Sequence, residues 1–127
     1  MEDTRIILSA LWASVMFLYV YGDLKTFYKP GIIEGILEGK AGSIKITQVF
    51  LLGSAILMAI PALMIFLSLI VSYPVIRWAN IILGILYSGV MVATMLMKGT
   101  WAYYIFFGIV EVVLTATIVW YAWNWTI

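Results

Sequence analysis

The sequence predicts an all-α, polytopic integral membrane protein: four transmembrane helices in an antiparallel bundle, with a short interfacial helix between the first two. Three observations carry this. Hydrophobic residues make up 65% of the 127 residues, charged residues 10%, and mean hydropathy is +1.12, against roughly 45–50% apolar and about 25% charged in average soluble domains. Twelve of the thirteen charges fall at or outside the ends of long apolar runs. Aromatic residues, 16% of the chain, gather near those same ends. A soluble fold of this size has too little interior for so much apolar surface. Cytosolic enzymes, nucleic-acid binders, disordered tails and disulfide scaffolds are thereby excluded, and a net charge of +1 offers no field for nucleic acid.

Each span follows from a gap between charges. A crossing needs about 20 apolar residues. Ile6–Gly22 is 17 uncharged residues between Arg5 and Asp23, and Ile46–Ile76 is 31 between Lys45 and Arg77. Trp78–Met97 is 20 residues ending at Lys98, and Gly99–Ile127 is 29 with one charge, Glu111. The 31-residue run is too long for one straight span; Tyr73-Pro74 offers its end, because proline lacks an amide donor and restricts the residue before it. The expected spans are about 5–24, 46–73, 76–97 and 100–125, all in one domain covering 1–127. The first is read as a retained span, since Glu2 and Asp3 replace the basic start of a signal peptide and no small-residue cleavage site precedes Asp23. Between the first two spans, Ile32, Ile33, Ile36 and Leu37 follow helical spacing, Glu34 and Glu38 share another face, and Pro30 suits a first helical position. This Pro30–Gly39 segment is read as a helix lying on headgroups, the alternative being a lid or partner-binding element.

Four spans put both termini on one side. The first and third loops carry Lys25, Lys29, Lys40, Lys45 and Lys98, against Arg5 and Arg77 on the other side. The excess of positive charge places those loops in the cytoplasm and both termini outside, in the cell inner (plasma) membrane.

Helices in lipid associate through small and polar residues, so polar stripes mark inward faces. They are Ser9, Trp12, Met16, Tyr19 and Asp23 on the first span; Thr47, Leu51, Ser54, Met58, Pro61, Ile65, Ser68 and Ser72 on the second. The third carries Asn80, Gly84, Tyr87, Met91, Thr94 and Lys98, and the fourth Tyr104, Gly108, Glu111, Thr115 and Ile118. For most of these, packing explains the residue. Glu111 needs more. About ten residues into its helix, it lies ~15 Å deep at 1.5 Å per residue. A carboxylate there costs several kcal/mol, on the order of the insertion scales, and faces the bundle interior. Counting from helix ends puts Ser88 and Tyr87, Pro61, and Ser14 and Met16 near its depth. Tyr87 is the expected donor to Glu111, and Pro61 leaves the Leu57 carbonyl without its helical amide. Arg77 is expected to snorkel to headgroups and Asn80 to cap or bond across helices. Asp23 and Lys25 form either an interfacial ion pair or an entrance with Tyr19 and Tyr21. Trp101, Tyr103, Tyr104, Trp120, Tyr121, Trp123 and Trp125 read as interface belts.

Cysteine and histidine are absent. This excludes disulfide and thiol-relay chemistry, Cys–His and Ser–His catalysis, and the usual haem and zinc ligands. No metal, cofactor or catalytic residue is expected. The leading reading is a proton- or cation-coupled small-molecule transporter or binding protein, with Glu111, Tyr87, Pro61, Trp12 and Tyr19 as substrate-binding or ion-coupling residues. Beside it stand a structural Glu111 in an accessory, non-catalytic membrane subunit, and third a lipid- or quinone-handling enzyme, weakened by the lack of a second ionisable group at the midplane. The expected partners are the lipid bilayer, a second copy of the chain (a dimer, with the transport site at its interface) and a small cationic or apolar ligand; nucleic acid is not expected.

Several segments also resemble an uncharacterised prokaryotic family of small four-span membrane proteins. They are Leu8-Ser9-Ala10-Leu11-Trp12, Tyr21-Gly22-Asp23, Gly42-Ser43-Ile44 with Thr47-Gln48, Leu52-Gly53, Ile60-Pro61, Arg77-Trp78-Ala79-Asn80, Tyr103-Tyr104 through Glu111, and Trp120-Tyr121-Ala122-Trp123. The resemblance implies the four-helix fold and no assigned activity. The family pattern sets an acidic residue before Ile-Pro in the second span; here it is Ala59, which removes a carboxylate that would pair with Glu111. Likeness to the DoxX-like group is limited to span count and implies nothing about function.

Overall fold

A computed structural model describes residues 3–41, 44–96 and 102–125. The elements are α1 (Asp3–Thr26), α2 (Ile32–Leu37), β1 (Lys40–Ala41), β2 (Ile44–Lys45), α3 (Gln48–Ile70), α4 (Tyr73–Met95) and α5 (Ala102–Trp123). The fold is all-α as expected, the strands being a two-residue antiparallel ladder inside the first loop. Helices α1, α3, α4 and α5 are each long and apolar enough to cross a membrane. Lys98 and Trp101, used above to mark the last turn, lie outside the described residues.

Local chemistry sets the helix ends. Thr47 caps α3 by accepting the Phe50 amide at 3.1 Å, which satisfies one of the orphan donors at a helix start. Pro74 sits in the first turn of α4, where its missing amide has no helical partner to lose. Thus α3 ends at Ile70, three residues before the expected boundary, and proline opens the next helix rather than closing the previous one. In the first loop Pro30 stays in the turn. Gly31 caps α2 with φ +86°, and Gly39 follows it at φ +82°, a region that favours glycine. No residue of α2 is buried, and Ile33 and Leu37 are exposed on it.

Helix α1 packs on both α3 and α5, α4 packs mainly on α5, and α3 and α4 touch sparingly. The buried positions repeat at helical spacing: Leu8, Ser9, Trp12 and Val15 on α1, Pro61, Met64 and Ser68 on α3, Ile76, Asn80, Ile81, Gly84, Tyr87 and Met91 on α4, and Gly108, Glu111, Thr115, Ile118 and Ala122 on α5. The α5 stripe agrees with the expected inward face. The α3 stripe agrees only in its second half. Leu51 and Ser54 are exposed, because the first turns of α3 stand clear of α4.

The end of the bundle that holds the α3–α4 turn is closed by two arginines. Arg5 donates to the Ser68 and Val71 carbonyls at 3.2 and 2.6 Å, and Arg77 to the Ala122 and Trp123 carbonyls at 2.9 and 2.8 Å. Each satisfies the orphan carbonyls of another helix's C-terminus, where the macrodipole also favours a cation. Arg77 therefore caps α5, and its guanidinium lies 5.1 Å from the Trp78 ring and 5.7 Å from Trp123. Trp125 departs from the belt expectation. It is buried against Tyr73, ring centroids 5.0 Å apart, and its carbonyl accepts from the Tyr73 hydroxyl at 2.6 Å. Trp120 and Trp123 are exposed, as a belt requires. Arg77→Gln, which removes the charge and both capping bonds, is expected to lower unfolding stability in detergent by about 1–2 kcal/mol. An unchanged denaturation midpoint would show the caps to be energetically idle.

Candidate functional site

On the first-loop side of Glu111, all four long helices line a cavity of about 140 Å³. Its walls are Tyr19, Gly22 and Asp23 of α1, Leu57 and Met58 of α3, Tyr87, Val90, Met91 and Thr94 of α4, and Tyr104, Phe107, Gly108 and Glu111 of α5. Glycine stands in the wall at positions 22 and 108, and a Cβ at Gly108 would collide with the Met95 side chain. The lining residues all come from a single chain.

Glu111 forms its inner end. The residue is 3% exposed, and its Oε2 is buried with no hydrogen-bond partner. Thr115 and Ser88 are committed elsewhere. The Thr115 hydroxyl donates to the Glu111 carbonyl at 3.0 Å and is 2.5 Å from the Ser88 hydroxyl. Ser88 is thus level with Thr115, one helical turn beyond Glu111. Counting inward from the loop misjudged the level because the two helix ends are not level: Ser88 is seven residues before Met95, whereas Thr115 is thirteen beyond Ala102.

Tyr87 does not serve Glu111 as the expected donor. Its hydroxyl donates to the Leu57 carbonyl at 2.6 Å. Pro61 lies inside α3, so the Leu57 carbonyl four residues back lacks its helical amide. In a span that orphan acceptor needs an internal donor, and Tyr87 supplies it from α4. Trp12 packs edge-on against Tyr87, centroids 6.1 Å apart at 84°, and its indole N–H donates to Asn80 Oδ1 at 2.7 Å. Asn80 in turn donates to the Ile76 carbonyl at 2.8 Å. Of the residues chosen from sequence, Glu111, Tyr87 and Tyr19 line the cavity, whereas Trp12 and Pro61 stand behind it and fix Tyr87.

Asp23 is the residue whose place the sequence left open. It lines the cavity and is exposed, at the end facing the first loop. The Thr26 and Tyr103 hydroxyls, 3.0 Å apart, set the ends of α1 and α5 level. Glu111 is eight residues beyond Tyr103 and Asp23 three before Thr26, which places the two carboxylates about 8 Å apart along the bundle axis at 1.5 Å per residue. A periodicity argument had already put Asp23 on the Tyr19 face; its membership of the same chamber as Glu111 depends on how α1 crosses α5. Among the other lining residues, Met58, Met91, Thr94, Tyr104 and Gly108 belong to the expected inward stripes, whereas Gly22, Val90 and Phe107 had no signal in the sequence.

Four apolar helices around a polar-tipped chamber define a small multi-span membrane protein. The chain belongs to the Family of unknown function (DUF6326), whose model matches residues 1–127. No curated protein and no solved structure matches it.

Proposed function

We propose that this protein binds a small molecule in the chamber and moves it across the bilayer, coupled to loading and unloading of a proton or cation at Glu111. One observation carries the reading: a buried carboxylate oxygen without a partner, in the wall of a cavity large enough for several waters. An unpaired polar atom costs about 1–3 kcal/mol when nothing meets it. A carboxylate kept there for packing alone has a partner; one that awaits an ion or a proton does not. The basic first loop is taken as cytoplasmic, with both termini outside the plasma membrane, in a dimer that leaves each chamber intact.

The test is proton flux into vesicles holding purified protein, read with an internal pH dye, for wild type and Glu111→Gln. Wild type is expected to exceed protein-free vesicles, and the variant to fall to their level. Equal flux in the two proteins ends the coupling idea. The alternative of an accessory subunit is favoured by α3, where among residues 48–57 only Phe50 is partly covered. Glu111-dependent flux by the purified protein alone would decide against that alternative.

A further inference from the structure

We propose that the chamber takes one small organic cation bearing N–H donors, an alkylammonium or guanidinium ion, admitted past Asp23 and held by Glu111. This rests on the reading of the chamber as a small-molecule site and specifies its ligand.

The chemistry of the wall selects the class. Two carboxylates line the space, and no lysine or arginine is among its described lining residues. An anion has no counter-charge among them. When ionised, the unpartnered Glu111 Oε2 can accept but not donate, so a ligand that meets the carboxylate must donate a hydrogen bond as well as carry positive charge. A charge-assisted bond of that kind is about twice as strong as a neutral one. Tyr19, Tyr87, Tyr104 and Phe107 bring aromatic rings to the same wall, and ring faces attract organic cations. Tyr19 and Tyr87 stand together, centroids 6.4 Å apart. Hard metal cations seek a shell of oxygens, and much of this wall is Leu57, Met58, Val90, Met91 and Phe107 instead. The volume limits the ligand to a few heavy atoms.

The placement of the two carboxylates gives each a part. Asp23 is exposed at the loop end and Glu111 buried at the far end, about 8 Å further in by helical rise. An exposed charge at a low-dielectric mouth raises the local concentration of counter-ions and speeds their capture. The inner charge, removed from water, determines how tightly they stay.

The experiment is equilibrium binding of radiolabelled methylammonium to the purified full chain in detergent. Saturable binding is expected, displaced by guanidinium but neither by tetramethylammonium, which has no N–H, nor by sodium at the same concentration. Glu111→Gln should weaken binding by about 10- to 100-fold, the loss of one charge-assisted hydrogen bond. Asp23→Asn should slow association by about tenfold or more at low salt, and less at high salt. A readout that needs no variant is labelling of wild-type Glu111 by a hydrophobic carbodiimide, located by mass spectrometry. Methylammonium should protect the residue and tetramethylammonium should not. Absence of saturable binding, equal displacement by tetramethylammonium or sodium, or unchanged affinity in Glu111→Gln each overturns the assignment. Glu111-dependent proton flux without methylammonium binding overturns this ligand class alone and leaves the coupled site standing; loss of both overturns both.

Discussion

Tyr87→Phe is expected to destabilise the bundle by about 1–3 kcal/mol, although it removes one oxygen and no carbon. The ring keeps its edge-on contact with Trp12. What is lost is the donor to the Leu57 carbonyl, 2.6 Å away. That carbonyl is orphaned by Pro61 within its own helix, and no lipid group can replace the missing hydrogen. The same argument predicts an interaction between two distant positions. In a Pro61→Ala background the residue at 61 regains an amide, α3 can satisfy Leu57 by itself, and Tyr87→Phe should become nearly neutral. A double-mutant cycle, read from unfolding in mixed micelles, should therefore show a coupling of about 1 kcal/mol or more. Strict additivity would mean that the tyrosine does not compensate for the proline.

Gly84→Val is expected to cost about 3 kcal/mol and to loosen α4 from α5. A Cβ built on Gly84 stands 2.6 Å from Val119 Cγ2 and 3.2 Å from the Thr115 carbonyl oxygen. The valine methyl can turn aside, but the carbonyl belongs to the backbone of α5 and moves only with the helix. Close approach through small residues is how spans pack in lipid, and α4–α5 is where this bundle uses it. Gly89 is the matched control on the same helix: a Cβ there meets nothing within 4 Å. Gly89→Ala should leave stability unchanged or raise it by roughly 0.5–1 kcal/mol through helix propensity. Thermal melts of the three proteins in one detergent check the contrast. Equal midpoints for Gly84→Val and wild type would mean that the helices are not held at this distance.

Much of the fold was legible because lipid simplifies the problem. Charges at the limits of apolar runs located four spans, and small or polar residues at three- and four-residue spacing marked the inward faces, best on α5. The first turns of α3 were not legible in this way. Thr47, Leu51 and Ser54 continue the stripe in sequence, but a stripe records which side of a helix is more polar, not whether a neighbour reaches it. Caps were missed for a related reason: Arg5 and Arg77 look like any charge at a span end until the carbonyls of α3 and α5 are brought beside them.

The site divides along the same line. Glu111 could be singled out from the sequence, as the one charge of its kind inside a span, and so could the orphan carbonyl that Pro61 must leave at Leu57, because both follow from local chain chemistry and depth. Which donor meets that carbonyl, and which groups share a chamber with Glu111, are questions of distance between helices. Tertiary structure assigned Tyr87 to Leu57, left Glu111 Oε2 without a donor, and set Asp23 at the mouth of the same cavity. Composition and periodicity fix a residue's depth and facing within its own helix. Partnership depends on the lateral placement of the helices, which is decided only by how they pack.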